Sequence, residues 1–149
     1  MPSFNEVEVR TDGFIWWLFT FIIMEKEFVT YEQAVELKKL LYGEHYRNDY
    51  FAWYSSNKDF HYRNMNSPVY PNNQSFIAPL KQQVFRWFRE KYNQNSFIEL
   101  VYQDGLKYDF VLYVNKKEEE YENYGDGPFQ TYEEAENACI DKLIEIAKK

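Results

Sequence analysis

The 149 residues predict a single compact α+β domain. Two Thr-initiated capping boxes each lead into a helix-period apolar stripe. Between them, Asp104-Gly105 separates two alternating apolar runs. Three helices are expected, over about 31–42, 79–92 and 132–147, with antiparallel hairpins over about 50–62 and 96–114.

Thr30-Tyr31-Glu32-Gln33 is the first box, followed by Ala34, Leu37, Leu40 and Leu41 on one face and stopped by Gly43. Tyr50 to Tyr54 is rich in strand formers, Ser55 to Lys58 is turn chemistry, and Phe60-His61-Tyr62 can return as the partner strand. Residues 64–75 form a polar loop without a period. Pro79 suits a helix start, and Leu80, Val84, Trp87, Phe88 and Tyr92 make an apolar stripe. Lys81, Gln82, Arg86 and Arg89 are expected on its solvent side. In the hairpin, Leu106, Tyr108, Phe110, Leu112 and Val114 alternate with Lys107, Asp109, Val111 and Tyr113, and the first set is expected to face the core. Tyr121 to Tyr124 suits a short edge strand. Thr131-Tyr132-Glu133-Glu134 is the second box, and Ala135, Ala138, Cys139, Leu143 and Ile146 continue its helix. The two starts share Phe-x-Thr-Tyr-Glu-x-Ala, at Phe28 to Ala34 and Phe129 to Ala135. We read this as convergent capping plus a common aromatic anchor.

Residues 14–24 are an uncharged run of 11, too short for the roughly 20 residues of a membrane span. It fits a core strand, an interfacial anchor, or an upstream extension. Met24 followed by Glu25-Lys26-Glu27 looks like an initiator, so residues 1–23 are expected to be an N-terminal extension to a domain at 24–149. The charges before the run, Glu6, Glu8, Arg10 and Asp12, oppose a secretory signal. One cysteine permits no internal disulfide, which fits a reducing compartment.

Aromatic residues make up 21% of the chain, and the net charge is −7. An acidic chain gains no general attraction to phosphate backbones. The charge is uneven: residues 58–91 carry six cations against two anions, and residues 118–136 carry eight acids and no Lys or Arg. His45, His61 and Cys139 have no metal-ligand spacing, and no Ser or Cys stands in a nucleophile motif, so no cofactor, metal or catalytic residue is expected.

Glu27 to Ala34, Ala78-Pro79-Leu80 through Gln83 with Phe85 to Tyr92, and Thr131 to Glu136 through Cys139 and Lys142 to Ile146 stand together in order. In this combination, covering most of residues 24–149, the chain resembles a group of small uncharacterised proteins encoded by phages and prophages of Bacteroidales gut bacteria. The resemblance implies a start near Met24, a bacterial host cytoplasm and no catalytic residue. Leu41-Tyr42-Gly43-Glu44 departs from the group's usual Leu-Gly-Phe-like helix exit.

The function expected is a non-enzymatic protein–protein module acting on a host or phage factor; the sequence does not set its oligomeric state. The alternative is nucleic-acid binding through the basic, aromatic-rich 50–92 region, where rings stack bases and cations neutralise phosphates. Candidate partner-binding residues are Lys81, Arg86, Arg89, Arg63, Trp53 and Tyr62. The helix–hairpin–helix order of 79–147 is similar to double-stranded-RNA-binding folds. Those have a third strand and a basic helix start, whereas the last helix here opens on Glu133, Glu134 and Glu136.

A truncation starting at Met24 is expected to stay soluble and melt cooperatively. Loss of the cooperative transition would make Phe14 to Ile23 part of the fold.

Overall fold

Local chemistry sets the element boundaries in this computed structural model, which describes residues 25–40, 42, 52–62, 73–114, 121–122 and 127–149. The expectations for residues 1–23, Gly43, His45, Tyr50, Phe51, Arg63, most of the 64–75 loop and the acidic run 118–120 lie outside the described residues.

Helix α1 (Tyr31–Lys39) starts at Thr30, whose Oγ1 accepts from the Gln33 amide while Gln33 Oε1 accepts from the Thr30 amide. Helix α3 (Tyr132–Ala147) repeats the box with Thr131 and Glu134. Each box satisfies orphan amides, and a Thr cap stabilises its helix by about 1 kcal/mol. The phenylalanine two residues before each cap also acts in the same way twice. Phe28 bridges Leu80 and Phe129 bridges Tyr108 through the main chain, and both rings pack on the core. The shared Phe-x-Thr motif thus ties each helix start to a neighbouring segment.

Helix α2 (Lys81–Tyr92) begins two residues later than Pro79, because the Pro79 carbonyl is engaged in accepting from the Val29 amide at 3.1 Å. Gln83 Oε1 accepts from the Leu80 amide, and Asn93, at φ 54°, closes the helix in the left-handed region.

Strands β1 (Ala52–Tyr54), β2 (Phe60–Tyr62) and β3 (Phe76–Ile77) form an antiparallel sheet in the order β2-β1-β3. The first hairpin is as expected. Strand β3 was not legible, because two residues cannot show an alternation. Strands β4 (Gln94–Tyr102), β5 (Leu106–Val114) and β6 (Tyr121–Glu122) form a second sheet in chain order. Asp104 (φ 50°) and Gly105 (φ 112°) make the turn, and the β4–β5 register runs unbroken from Gln94↔Val114 to Tyr102↔Leu106. With β6, the order over 81–147 is helix, three strands, helix.

Helix α2 packs against β4, α3 packs against β5 and β4, the two helices pack against each other, and α1 packs on α3 and β3. One hydrophobic cluster takes Val29 and Leu37, Ala52 and Tyr54, Val84 and Phe88, Phe110 and Leu112, and Cys139, Ile140 and Leu143. Full burial of each large side chain stabilises by roughly 1.5–3 kcal/mol. Tyr54 is buried too, and its hydroxyl donates to the Val29 carbonyl at 3.0 Å, linking β1 to the start of α1. Burial pushes its phenol up to about 12. Cys139 is fully buried and, mainly through desolvation, its thiol is also raised to about 12, the environment of an inert core cysteine.

The hairpin faces are those expected, but the coverage is not. Phe110, Leu112 and Val114 are buried, Tyr108 is half-buried and Leu106 is exposed. Alternation assigns a face and does not say how far the helices extend along it. On the opposite face Val111 is also buried.

Candidate interaction surface

The candidate residues do not converge on one patch. Lys81, expected in solvent, is only 3% exposed. Its ammonium lies 3.5 Å from a Glu136 carboxylate oxygen that is itself buried. The reason is helical geometry. Lys81 stands three residues before Val84 and seven before Phe88, on the same stripe, and Glu136 stands three before Cys139 and four before Ile140. Two misplaced charges on two packed helices therefore meet. Gln82 Nε2 donates to the other Glu136 oxygen at 3.4 Å. Burial raises the Glu136 carboxyl and the Lys81 charge opposes that rise.

Trp53 is buried and stacks on His61 at 5.8 Å, and Tyr62 is half-buried against the core. Arg63 lies outside the described residues. Arg86 and Arg89 are exposed on α2 as expected, and Trp87 and Phe88 are buried. Arg86 pairs with Glu90 at 2.7 Å. Lys58 pairs with Glu32 at 3.0 Å, and Lys91 donates to the Leu40 carbonyl at 3.0 Å with its ammonium over the Trp87 ring. The aromatics of this region serve the core: Tyr42, Phe88 and Tyr92 surround Trp87 at centroid distances of 5.0, 4.9 and 5.3 Å. Among the described residues they leave no row of open ring faces beside the arginines.

The exposed apolar surface lies elsewhere, at the turn end of the β4–β5 hairpin. On the face that packs on the helices further down, Leu100 is paired with Tyr108 and Tyr102 with Leu106. Here Leu100 is 56%, Leu106 62% and Tyr102 87% exposed. Tyr132, the first residue of α3, sits edge-on to Tyr108 at 5.9 Å and closes the patch on the helix side. Its phenol is raised by partial burial, then by the Glu136 and Glu27 charges. On the reverse face Phe97, half exposed, stacks on Tyr113 at 5.9 Å. Sequence reading missed this site. The visible signal was apolar residues on both faces next to the turn: Leu100, Val101, Tyr102 and Leu106.

The chain matches no family model, no curated protein and no solved structure. Among the described residues no group of three or more His, Cys, Asp or Glu is placed to hold a metal ion, and no helix is long and apolar enough to cross a membrane.

Glu136→Ala leaves an ammonium buried without its counter-charge and is expected to destabilise by about 3 kcal/mol in urea unfolding, with Lys81→Met/Glu136→Leu recovering most of the loss. A loss below about 1 kcal/mol for the single variant would place Lys81 in water instead.

Proposed function

We propose that the protein is a non-enzymatic protein–protein interaction module that engages its partner through the turn end of the β4–β5 hairpin. In keeping with the phage and prophage resemblance, its setting is the cytoplasm of a bacterial host and its partner a host or phage factor. The observation that carries this reading is the cluster of Leu100, Tyr102 and Leu106, open to water on one register face beside Tyr108 and Tyr132. Single exposed apolar residues are ordinary, but a contiguous set marks a contact surface. Covering the exposed part of one such leucine recovers roughly 1–2 kcal/mol of transfer free energy. Aromatic anchors such as Tyr102 lose little entropy when they dock.

The surroundings favour a protein over a nucleic acid. The hairpin turn carries Asp104, and α3 opens next to the patch on Glu133 and Glu134. These charges repel phosphates, although the helix–three-strand–helix order is the one found in double-stranded-RNA-binding folds.

The test is affinity capture from Bacteroidales lysate with the wild-type chain and with Leu100→Thr/Tyr102→Thr/Leu106→Thr. The wild type is expected to retain one stoichiometric partner that the triple variant loses. A partner retained equally by both would move the contact off the hairpin. Salt-sensitive binding to single-stranded DNA or duplex RNA, reduced by Arg86→Ala/Arg89→Ala, would replace this reading with the nucleic-acid one.

A further inference from the structure

We infer that strand β4 binds its partner as an added β-strand, and that the partner segment is an extended peptide with a Lys or Arg between apolar residues. This rests on the hairpin being the interaction surface. The main chain supplies the first argument. Tyr108 exchanges both main-chain hydrogen bonds with Phe129, at 3.0 and 2.7 Å, on the side of β5 away from β4. Gln103 donates to Gly105 at the turn, on the inner side. In an antiparallel ladder these two roles alternate. With the unbroken register, the N–H and C=O groups of Ser96, Ile98, Leu100 and Tyr102 therefore point away from β5. Among the described residues no strand lies on that side, since the sheet order is β4-β5-β6.

Proteins block such edges with charged side chains, proline or a bulge. The nine residues of β4 contain no lysine, proline or bulge, and their one charge is Glu99. The strand instead exposes Phe97 on one face and Leu100 and Tyr102 on the other.

Charge selects the occupant. Glu99 and Asp109 are direct cross-strand partners on the Phe97 face, and neither has an ion-pair partner among the described residues. Like charges at opposed positions repel. A second copy paired antiparallel about the middle of β4 would bring its own Glu99 opposite Phe97 and next to the first Glu99, in a chain already at −7. A cation on the added strand opposite Glu99 relieves the repulsion. Its neighbours one residue away then lie opposite Ile98 and Leu100, and those two residues away lie opposite Phe97 and Val101. The recognised pattern is a central cation with two apolar residues on each side.

The experiment uses the full chain and the synthetic peptide acetyl-Ser-Val-Phe-Lys-Phe-Val-Ser-amide, followed by fluorescence anisotropy and by amide hydrogen exchange. The amides of Ser96, Ile98, Leu100 and Tyr102 are expected to exchange rapidly in the free protein and to become protected with peptide, whereas those of Phe97, Glu99 and Val101 are protected in both. Glutamate in place of the peptide lysine is expected to weaken binding about tenfold, and Glu99→Lys to reverse that preference. Binding that is lost in the Leu100→Thr/Tyr102→Thr/Leu106→Thr variant but leaves the four amides unprotected would overturn strand addition and leave the hairpin surface standing. So would failure of the peptide to bind while the triple variant still loses its captured partner. Protection of the same amides by a concentration-dependent dimer without peptide would make the occupant a second copy and overturn the inference. Equal affinity for the lysine and glutamate peptides would overturn the charge argument.

Discussion

Lys81 stands at the crossing where residues 27–29 meet residues 79–81, and its ammonium reaches from α2 across to Glu136 on α3. The Val29 amide donates to Pro79 and the Lys81 amide donates to Glu27, at 3.1 and 2.9 Å, so the start of α1 is tied to the start of α2. The ion pair ties that junction to α3. From the other side Gln33 Nε2 donates to the Asn137 carbonyl and to Asp141. Lys148 closes the far end of the α1–α3 contact on Glu36. A buried pair of this kind adds little net stability over an apolar pair, but breaking it strands a buried charge, which disfavours arrangements of the two helices that separate Lys81 from Glu136.

That arrangement determines what remains open. A nine-residue strand spans about 30 Å, while the 12-residue α2 is about 18 Å long and the 16-residue α3 about 24 Å. With both helices pinned at the Lys81 junction, they cover Phe110, Leu112 and Val114 and leave Leu100, Tyr102 and Leu106 beyond the start of α3. The apolar hairpin end follows from element lengths fixed about one anchor. Among the described residues the same hairpin leaves open both a face of side chains and an edge of main-chain groups.

Features set by near neighbours were legible in the sequence. Both capping boxes, the Asp104-Gly105 turn, the buried Cys139 and the inward Trp87 and Phe88 depend on residues within a turn or two of each other. Features set by distant partners were not. Lys81 looked solvent-facing because its partner lies 55 positions away, although both it and Glu136 interrupt apolar stripes and so invited pairing. The basic, aromatic cluster over 50–92 dissolved for the same reason. Composition places Trp53, Trp87 and Arg86 together, whereas packing directs the rings inward and leaves the guanidinium outside. The hairpin end escaped notice because an alternating strand reads identically with or without a helix over it.

Tyr102 and Leu106 at the turn end of the hairpin stand outside the core cluster, which is what leaves them open for the partner we propose. Urea unfolding of Tyr102→Thr/Leu106→Thr tests it most directly, since threonine keeps strand propensity and removes the apolar bulk. The account predicts a stability within about 0.5 kcal/mol of the wild type, as for substitutions of exposed residues. A loss of about 2 kcal/mol or more, the range of core truncations, would contradict it and make these side chains part of the fold's interior.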